Sequence, residues 1–265
     1  MVNEAVEIAH KQGILTAASL MIAGDAVDDA IARAKAMPGL GVGLHVVLVE
    51  GRPVLPAEKV PALVGSDGRF HDNMVRAAFV IALSPAARAQ MRAEVAAQFA
   101  AFAATGLRLD HVNAHKHFHL HPMIARAICD AGQAYGLNAI RAPIEPGTGA
   151  IGLWAALLAR RWRRAGLTVN DRVIGLSVTG AFTAERMRTA LADLPQGLTE
   201  IYTHPANADA YAGSAPGYHY RDELTALTDP QAKATLAASG AVTGSFTHFA
   251  TSTQSTIALG VAQAA

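Results

Sequence analysis

The chain has 265 residues, 51% hydrophobic and 16% charged, with 22 Lys plus Arg against 21 Asp plus Glu and a net charge of +1. This composition excludes a disordered chain, allows a substantial core without disulfides, and provides no general field for nucleic acid. One α/β barrel or two smaller domains would both fit the length. The single cysteine, Cys129, excludes an internal disulfide, fits a reducing compartment and reads as a small core residue. The opening Met1-Val2-Asn3-Glu4 lacks a signal-peptide pattern, and no apolar run reaches the ~18 residues of a membrane span. A soluble, cytoplasmic protein is therefore expected.

In chain order, residues 3–12 read as a helix stopped by Gly13, and 14–22 as a buried strand. Asp25 is placed to cap a helix through Met37, and 40–48 is a second strand in which Gly41 and Gly43 permit close backbone approach. Ser84-Pro85 opens a helix with Met91, Val95, Phe99 and Phe102 on one stripe, ended by Gly106. A third strand at 107–112 follows. Helix 122–135 is then paired with strand 138–142, and helix 183–194 with strand 198–203. Helices between apolar strands imply a parallel sheet or barrel with right-handed crossovers. Two stretches, 51–72 and 143–170, interrupt this rhythm as excursions. The chain opens in a helix, so the strand that should precede it in a β/α unit is absent.

Five of the eleven histidines fall in one run, Asp110-His-Val-Asn-Ala-His-Lys-His-Phe-His-Leu-His-Pro122. His111, His115, His117, His119 and His121 all have odd parity, so an extended strand would put them on one face. The run lies where strand gives way to helix, the edge at which parallel α/β folds collect their sites. Neutral imidazole is the commonest divalent metal ligand, and such a cluster can supply ligands together with groups that orient them or contact substrate. His45 in Gly43-Leu-His-Val46 and His204 in Glu200-Ile-Tyr-Thr-His-Pro205 close two further strands, and Arg141 closes a fourth. Arg141 is placed to face developing negative charge. His10, His71, His219 and His248 lack such positions and read as structural or solvated.

The motifs His111-Val-Asn-Ala-His-Lys-His-Phe-His-Leu-His-Pro122, Gly43-Leu-His45 and Thr199-Glu-Ile-Tyr-Thr-His-Pro-Ala206 resemble those of the YdjC-type (ChbG-like) carbohydrate deacetylases, most closely the hopanoid biosynthesis-associated branch HpnK. Glu223-Leu-Thr-Ala-Leu-Thr-Asp-Pro230 also fits, and the resemblance runs from residue 2 to about 240. It implies one distorted β/α barrel spanning 1–265, with insertions near 51–72 and 143–170, and one divalent metal, Mg2+ or Zn2+. The implied ligands are an aspartate and two histidines, which match His45 and His115. The implied reaction removes acetate from an N-acetylated amino sugar; in the hopanoid branch this is the N-acetylglucosaminyl head group of a bacteriohopanepolyol. The family begins with a strand ending in Ala-Asp-Asp-Phe-Gly, which carries the metal aspartate and a catalytic carboxylate. The first strand is missing from this sequence, whose start resembles the following helix. Asp25 and Asp110 are nearby acids, but neither is in the expected place.

From these residues, a bound metal and Arg141 would stabilise the tetrahedral oxyanion, and His204 would protonate the departing amine. His117 and His119 would orient ligands or contact the sugar. Between residues 154 and 164, Trp154, Leu157, Leu158 and Trp162 interleave with Arg160, Arg161, Arg163 and Arg164. This segment could lie at the inner membrane face, giving a peripheral contact suited to a glycolipid substrate. The other readings left open are a soluble N-acetylated oligosaccharide substrate, another metal amidohydrolase, and a non-catalytic metal- or lipid-binding protein. A homo-oligomer is compatible with the sequence.

Overall fold

The computed structural model describes residues 1–250 and the backbone of 261–264. Helix α1 (Val2–Gln12) leads into strand β1 (Ala17–Leu20), and α2 (Val27–Lys35) into β2 (Gly41–Val46). Helices α3 (Met74–Leu83) and α4 (Pro85–Ala104) precede β3 (Leu109–Ala114); α5 (Pro122–Gly132) and α6 (Gly149–Arg164) precede β4 (Arg172–Ile174). Helix α7 (Ala184–Ala192) leads to β5 (Thr199–Thr203), and α8 (Tyr220–Thr228), α9 (Pro230–Ser239) and α10 (Phe246–Ala250) lead to β6 (Val261–Ala264). The strands form one sheet in the order β3-β2-β1-β6-β5-β4, and neighbouring strands run parallel.

The two edges of this sheet are joined by irregular backbone. Val112 of β3 donates to Ala139 O, and Arg141 donates back to Val112 O, both at 3.0 Å. Ile140 donates to Thr168 O, and Val173 of β4 donates to Ile144 O. The sheet is thus closed into a distorted barrel, the form the family resemblance implied and one of the two the β/α pattern left open. The expected strand at 138–142 is reduced to single bridges at Ala139 and Ile140. At Ala142 the Asn170 side chain takes over the ladder, accepting from Ala142 N at 2.8 Å and donating to Ala142 O at 2.7 Å.

The sequence signals act locally as expected at several points. Ser84 Oγ accepts from Ala87 N, Pro85 opens α4, and Met91, Val95, Phe99 and Phe102 are buried. Thr183 caps α7. Asp25 does not cap α2, whose N-cap is Ala26 with no side-chain bond. Gly41 and Gly43 allow the predicted close approach: a Cβ on Gly43 would lie 2.5 Å from the His111 ring. The 51–72 excursion is anchored by buried Val60, Leu63 and Phe70, and by the Glu94 carboxylate, which accepts from Val54 N and Leu55 N. Helix α3, nearly all apolar and unforeseen, is capped by Asn73. Buried apolar residues from Val2 to Ala232 form a continuous core. No helix among the described residues is long and apolar enough to cross a membrane.

Candidate active site at the strand ends

On the β1–β3 side, alternation points Ser19, His111, Asn113 and His45 into one buried layer. Asp110 Oδ2 lies 2.8 Å from His111 Nδ1, and His111 Nε2 lies 2.9 Å from Ser19 Oγ. Ser19 Oγ is 2.8 Å from the Asn113 amide, which is 2.6 Å from His45 Nδ1. Burial alone would raise the Asp110 carboxyl, but bonds from His111, Ser245 and Thr247 hold it well below the carboxylate range. Asp110 also accepts from Phe246 N and Thr247 N, which ties α10 to β3. Asp110 is therefore a structural acid at the far end of the strand from His115.

The odd-parity face expected for the whole histidine run ends at β3. Residues His115–Leu120 form a 3-10 turn broken by left-handed backbone at Lys116 (φ 51°) and His117 (φ 55°), a region that residues with side chains seldom adopt. The break splits the histidines into separate roles. The His115 ring meets His45 edge-on, with centroids 5.6 Å apart, and its Nε2 is 3.4 Å from Glu50. The His117 ring turns towards Tyr202, 5.8 Å away. His119 is fully buried, stacks on Trp162 at 6.0 Å and donates Nε2–H to Arg141 O at 2.9 Å. Those contacts hold the strand end in place. Burial keeps all these imidazoles neutral: His45 and His117 well below the usual value, His115 below it, and His119 at about 4.

On the β5 side, Glu200, Tyr202 and His204 share one face. Arg141, only 1% exposed, forms a bidentate pair with buried Glu200 and lies over the Tyr202 ring, 4.9 Å from its centroid. Burial pushes the Tyr202 phenol up, so it stays protonated, and its oxygen is 2.7 Å from His204 Nε2. Glu223 of α8 accepts from the backbone N–H groups of His204 and Phe182, and its Oε2 is 3.9 Å from His204 Nδ1. Burial outweighs those bonds and lifts the Glu223 carboxyl to about 7.

The geometry thus brings His45, His115, His117, Arg141 and His204 to one mouth. A model of the family described as YdjC-like protein matches residues 1–238. The chain belongs to the YdjC-like family. It is 31% identical to a carbohydrate deacetylase of Brevibacillus brevis, over 88% of this chain and 87% of that one. It is 32% identical to a mouse carbohydrate deacetylase, over 90% and 87%, and 29% identical to a chitooligosaccharide deacetylase of Serratia marcescens, over 92% of each. A crystal structure of a cellobiose-phosphate cleavage protein from Enterococcus faecalis superposes with a TM-score of 0.73 at 22% identity, covering 90% of this chain and 89% of that one. That likeness shows a shared fold.

The donors of this YdjC-like chain suit a divalent metal in kind but not in number. His45 and His115 are neutral imidazoles side by side, yet the described residues contain no group of three His, Cys, Asp or Glu side chains placed to hold a metal ion. The Asn113 amide also bears on the fit. Turned over, it accepts from both terminal nitrogens of Arg141, at 3.0 and 3.1 Å, and donates to His45 Nδ1; this orientation matches donors to acceptors. An imidazole whose Nδ1 accepts carries its proton on Nε2. A metal on His45 Nε2 requires the opposite amide orientation, with His45 donating to Asn113 Oδ1.

Sequence reasoning missed Ser19, Glu50, Asn113, Glu200, Tyr202 and the part played by Glu223 beneath His204. Alternation along β5 was the available signal for two of them, since Glu200 and Tyr202 are spaced by two from the expected His204. His10 bonds to Leu15 O, His219 caps α8 and His248 lies in α10. Cys129 is half-buried in α5 rather than fully in the core.

Proposed function

We propose that this chain is a carbohydrate N-deacetylase that releases acetate from an N-acetylated amino sugar, the preferred substrate being the N-acetylglucosaminyl head group of a bacteriohopanepolyol. The observation that carries the reading is the meeting of His45, His115, His117 and His204 at one mouth in a chain 31% identical to a carbohydrate deacetylase. Water adds to the acetamide carbon while a base takes its proton. The C–N bond then breaks as the nitrogen gains a proton, leaving acetate and the amino sugar.

His204 is the proton carrier at the amine. Tyr202 orients Nε2, and Glu223 below Nδ1, once ionised above its pKa of about 7, favours the imidazolium that forms when His204 takes up a proton. Arg141 is already neutralised by Glu200, so it acts here by fixing Asn113 and Tyr202 around the mouth rather than by offering an unpaired charge. His117 lines the mouth towards the sugar, and His119 holds the Arg141 strand end. Zinc or magnesium belongs to this reading as the group His45 and His115 would hold; when bound, it supplies carbonyl polarisation and an acidified water.

The test is acetate release from N-acetylglucosaminyl bacteriohopanetetrol, run beside chitooligosaccharides with zinc or magnesium added. Faster turnover of the lipid substrate supports the reading. Preference for the chitooligosaccharide would move the assignment to the soluble sugar, which the Serratia marcescens relative favours. No acetate from either would reject the deacetylase reading.

A further inference from the structure

Two helices expose apolar rows on either side of the histidine turn. Helix α3 buries Ala77 and Ile81 but leaves Val75, Phe79 and Leu83 62%, 62% and 77% exposed. These residues recur every four positions, so they form one stripe. Helix α6 buries Ala155, Leu158, Ala159 and Trp162, and exposes Ile151, Leu153, Trp154 and Leu157. The turn touches both: the His121 side chain lies beside the backbone of Ala78 in α3, and Trp154 of α6 donates its indole N–H to Leu120 O at 2.8 Å. Leu120 and His121 are neighbours in the chain, so both helices are fastened to adjacent residues at the edge of the proposed site.

Scattered exposed apolar side chains are ordinary, whereas a cluster on two joined helices marks a contact surface. The charge pattern identifies its occupant. Neither α3 nor α6 contains an Asp or Glu, while Arg76, Arg160, Arg161 and Arg164 are exposed on them. Apolar rows on helices that carry arginines and no acid of their own match a bilayer with anionic head groups: the apolar side chains enter the acyl boundary and the arginines meet phosphate. Trp162 takes no part, because it packs inside against His119. We infer that α3 and α6 together form a docking face for an anionic membrane surface, seating the histidine mouth at the lipid boundary. The inference concerns the surface alone and stands whichever sugar the site accepts.

The experiment is flotation of the purified chain with phosphatidylcholine vesicles, with and without phosphatidylglycerol. The wild type is expected to float only with the anionic vesicles, and less at high salt. Phe79→Ser with Leu83→Ser should weaken partitioning by roughly tenfold or more, and Arg160→Glu, Arg161→Glu and Arg164→Glu together by at least about 100-fold. All these side chains are exposed, and circular dichroism with the thermal unfolding midpoint checks that the variants remain folded. Failure of the wild type to float, or full binding by the α3 variant, would overturn the two-helix face. So would a dimer in size-exclusion chromatography that the α3 substitutions dissociate, since a second copy would then cover the surface. Acetate release without flotation would leave the proposed function standing and remove only the membrane face.

Discussion

The two walls of the mouth use buried polar groups in opposite ways. The β1–β3 wall is a relay of neutral or locally satisfied groups, running from Asp110 through His111, Ser19 and Asn113 to His45. The β5 wall is built on charge: Arg141 is locked to Glu200, and Glu223 lies under His204 with its carboxyl lifted to about 7. A hydrogen-bonded relay fixes ring orientation with its one carboxylate, Asp110, at the end away from His45. A buried ion pair fixes position more firmly, but its cost becomes large as soon as one partner is lost.

The sharpest test of that contrast is Glu200→Ala. Removing it leaves the Arg141 guanidinium buried and unpaired, and should lower stability by about 3–5 kcal/mol, measured by denaturant unfolding. A loss under about 1 kcal/mol would mean that the pair behaves like an exposed one. His115→Ala acts on the other wall with little effect on the core, because His115 is partly exposed. It should reduce acetate release and zinc binding by calorimetry by about 100-fold or more, comparable with the largest losses on removing groups that support a metal. Unchanged zinc affinity would take His115 out of any metal site.

The same contrast explains what could be read from the chain. The histidines at the end of β3 were legible because they lie close in sequence and recur every two residues, whereas Ser19 and Asn113 beside them were not. The left-handed step at Lys116 and His117 was not, since nothing in Ala-His-Lys-His-Phe requires it; tertiary packing of His119 against Trp162 and Arg141 O accompanies it. The charged wall was harder to see. Glu200 and Glu223 look like ordinary acids until the fold buries them, and Arg141 was legible as a strand-end cation but not as half of a pair. The barrel order could be inferred from alternating helices and strands, whereas its closure at Ala142 rests on one amide, Asn170, inside a stretch that read as an excursion.

Glu223 gives the next effect in size. Its folded pKa of about 7 lies above the ordinary 4.5, so the native state holds a proton that the unfolded chain releases first. The stability from this group is therefore complete below pH 4.5 and is lost as pH rises through 7, by about 3 kcal/mol at most. Thermal unfolding across that window should show the slope in the wild type and a flatter line in Glu223→Gln. Equal slopes would place the titration elsewhere. Gly43→Ala tests the relay wall, because the new methyl would meet the His111 ring at 2.5 Å. A loss of about 1–3 kcal/mol is expected from such overpacking, and a neutral result would show that the ring can shift without disturbing Ser19.

The smallest effect is expected where an ion pair lies in water at the same mouth. Lys116 meets Glu50 with 42% and 34% of the two side chains exposed, close to His115 but outside the buried layers. Solvent screening and side-chain entropy leave such pairs worth about 0–1 kcal/mol, so Lys116→Met should barely change the unfolding midpoint. Glu50 also contacts His115 at 3.4 Å, and without Lys116 that carboxylate is held by the imidazole alone. If Lys116→Met matched Glu200→Ala in unfolding free energy, the division into an ion-paired β5 wall and a hydrogen-bonded relay wall would fail. A small loss would place the barrel's electrostatic anchor at Arg141 and Glu200, and leave the Glu50 pair a surface contact at the rim.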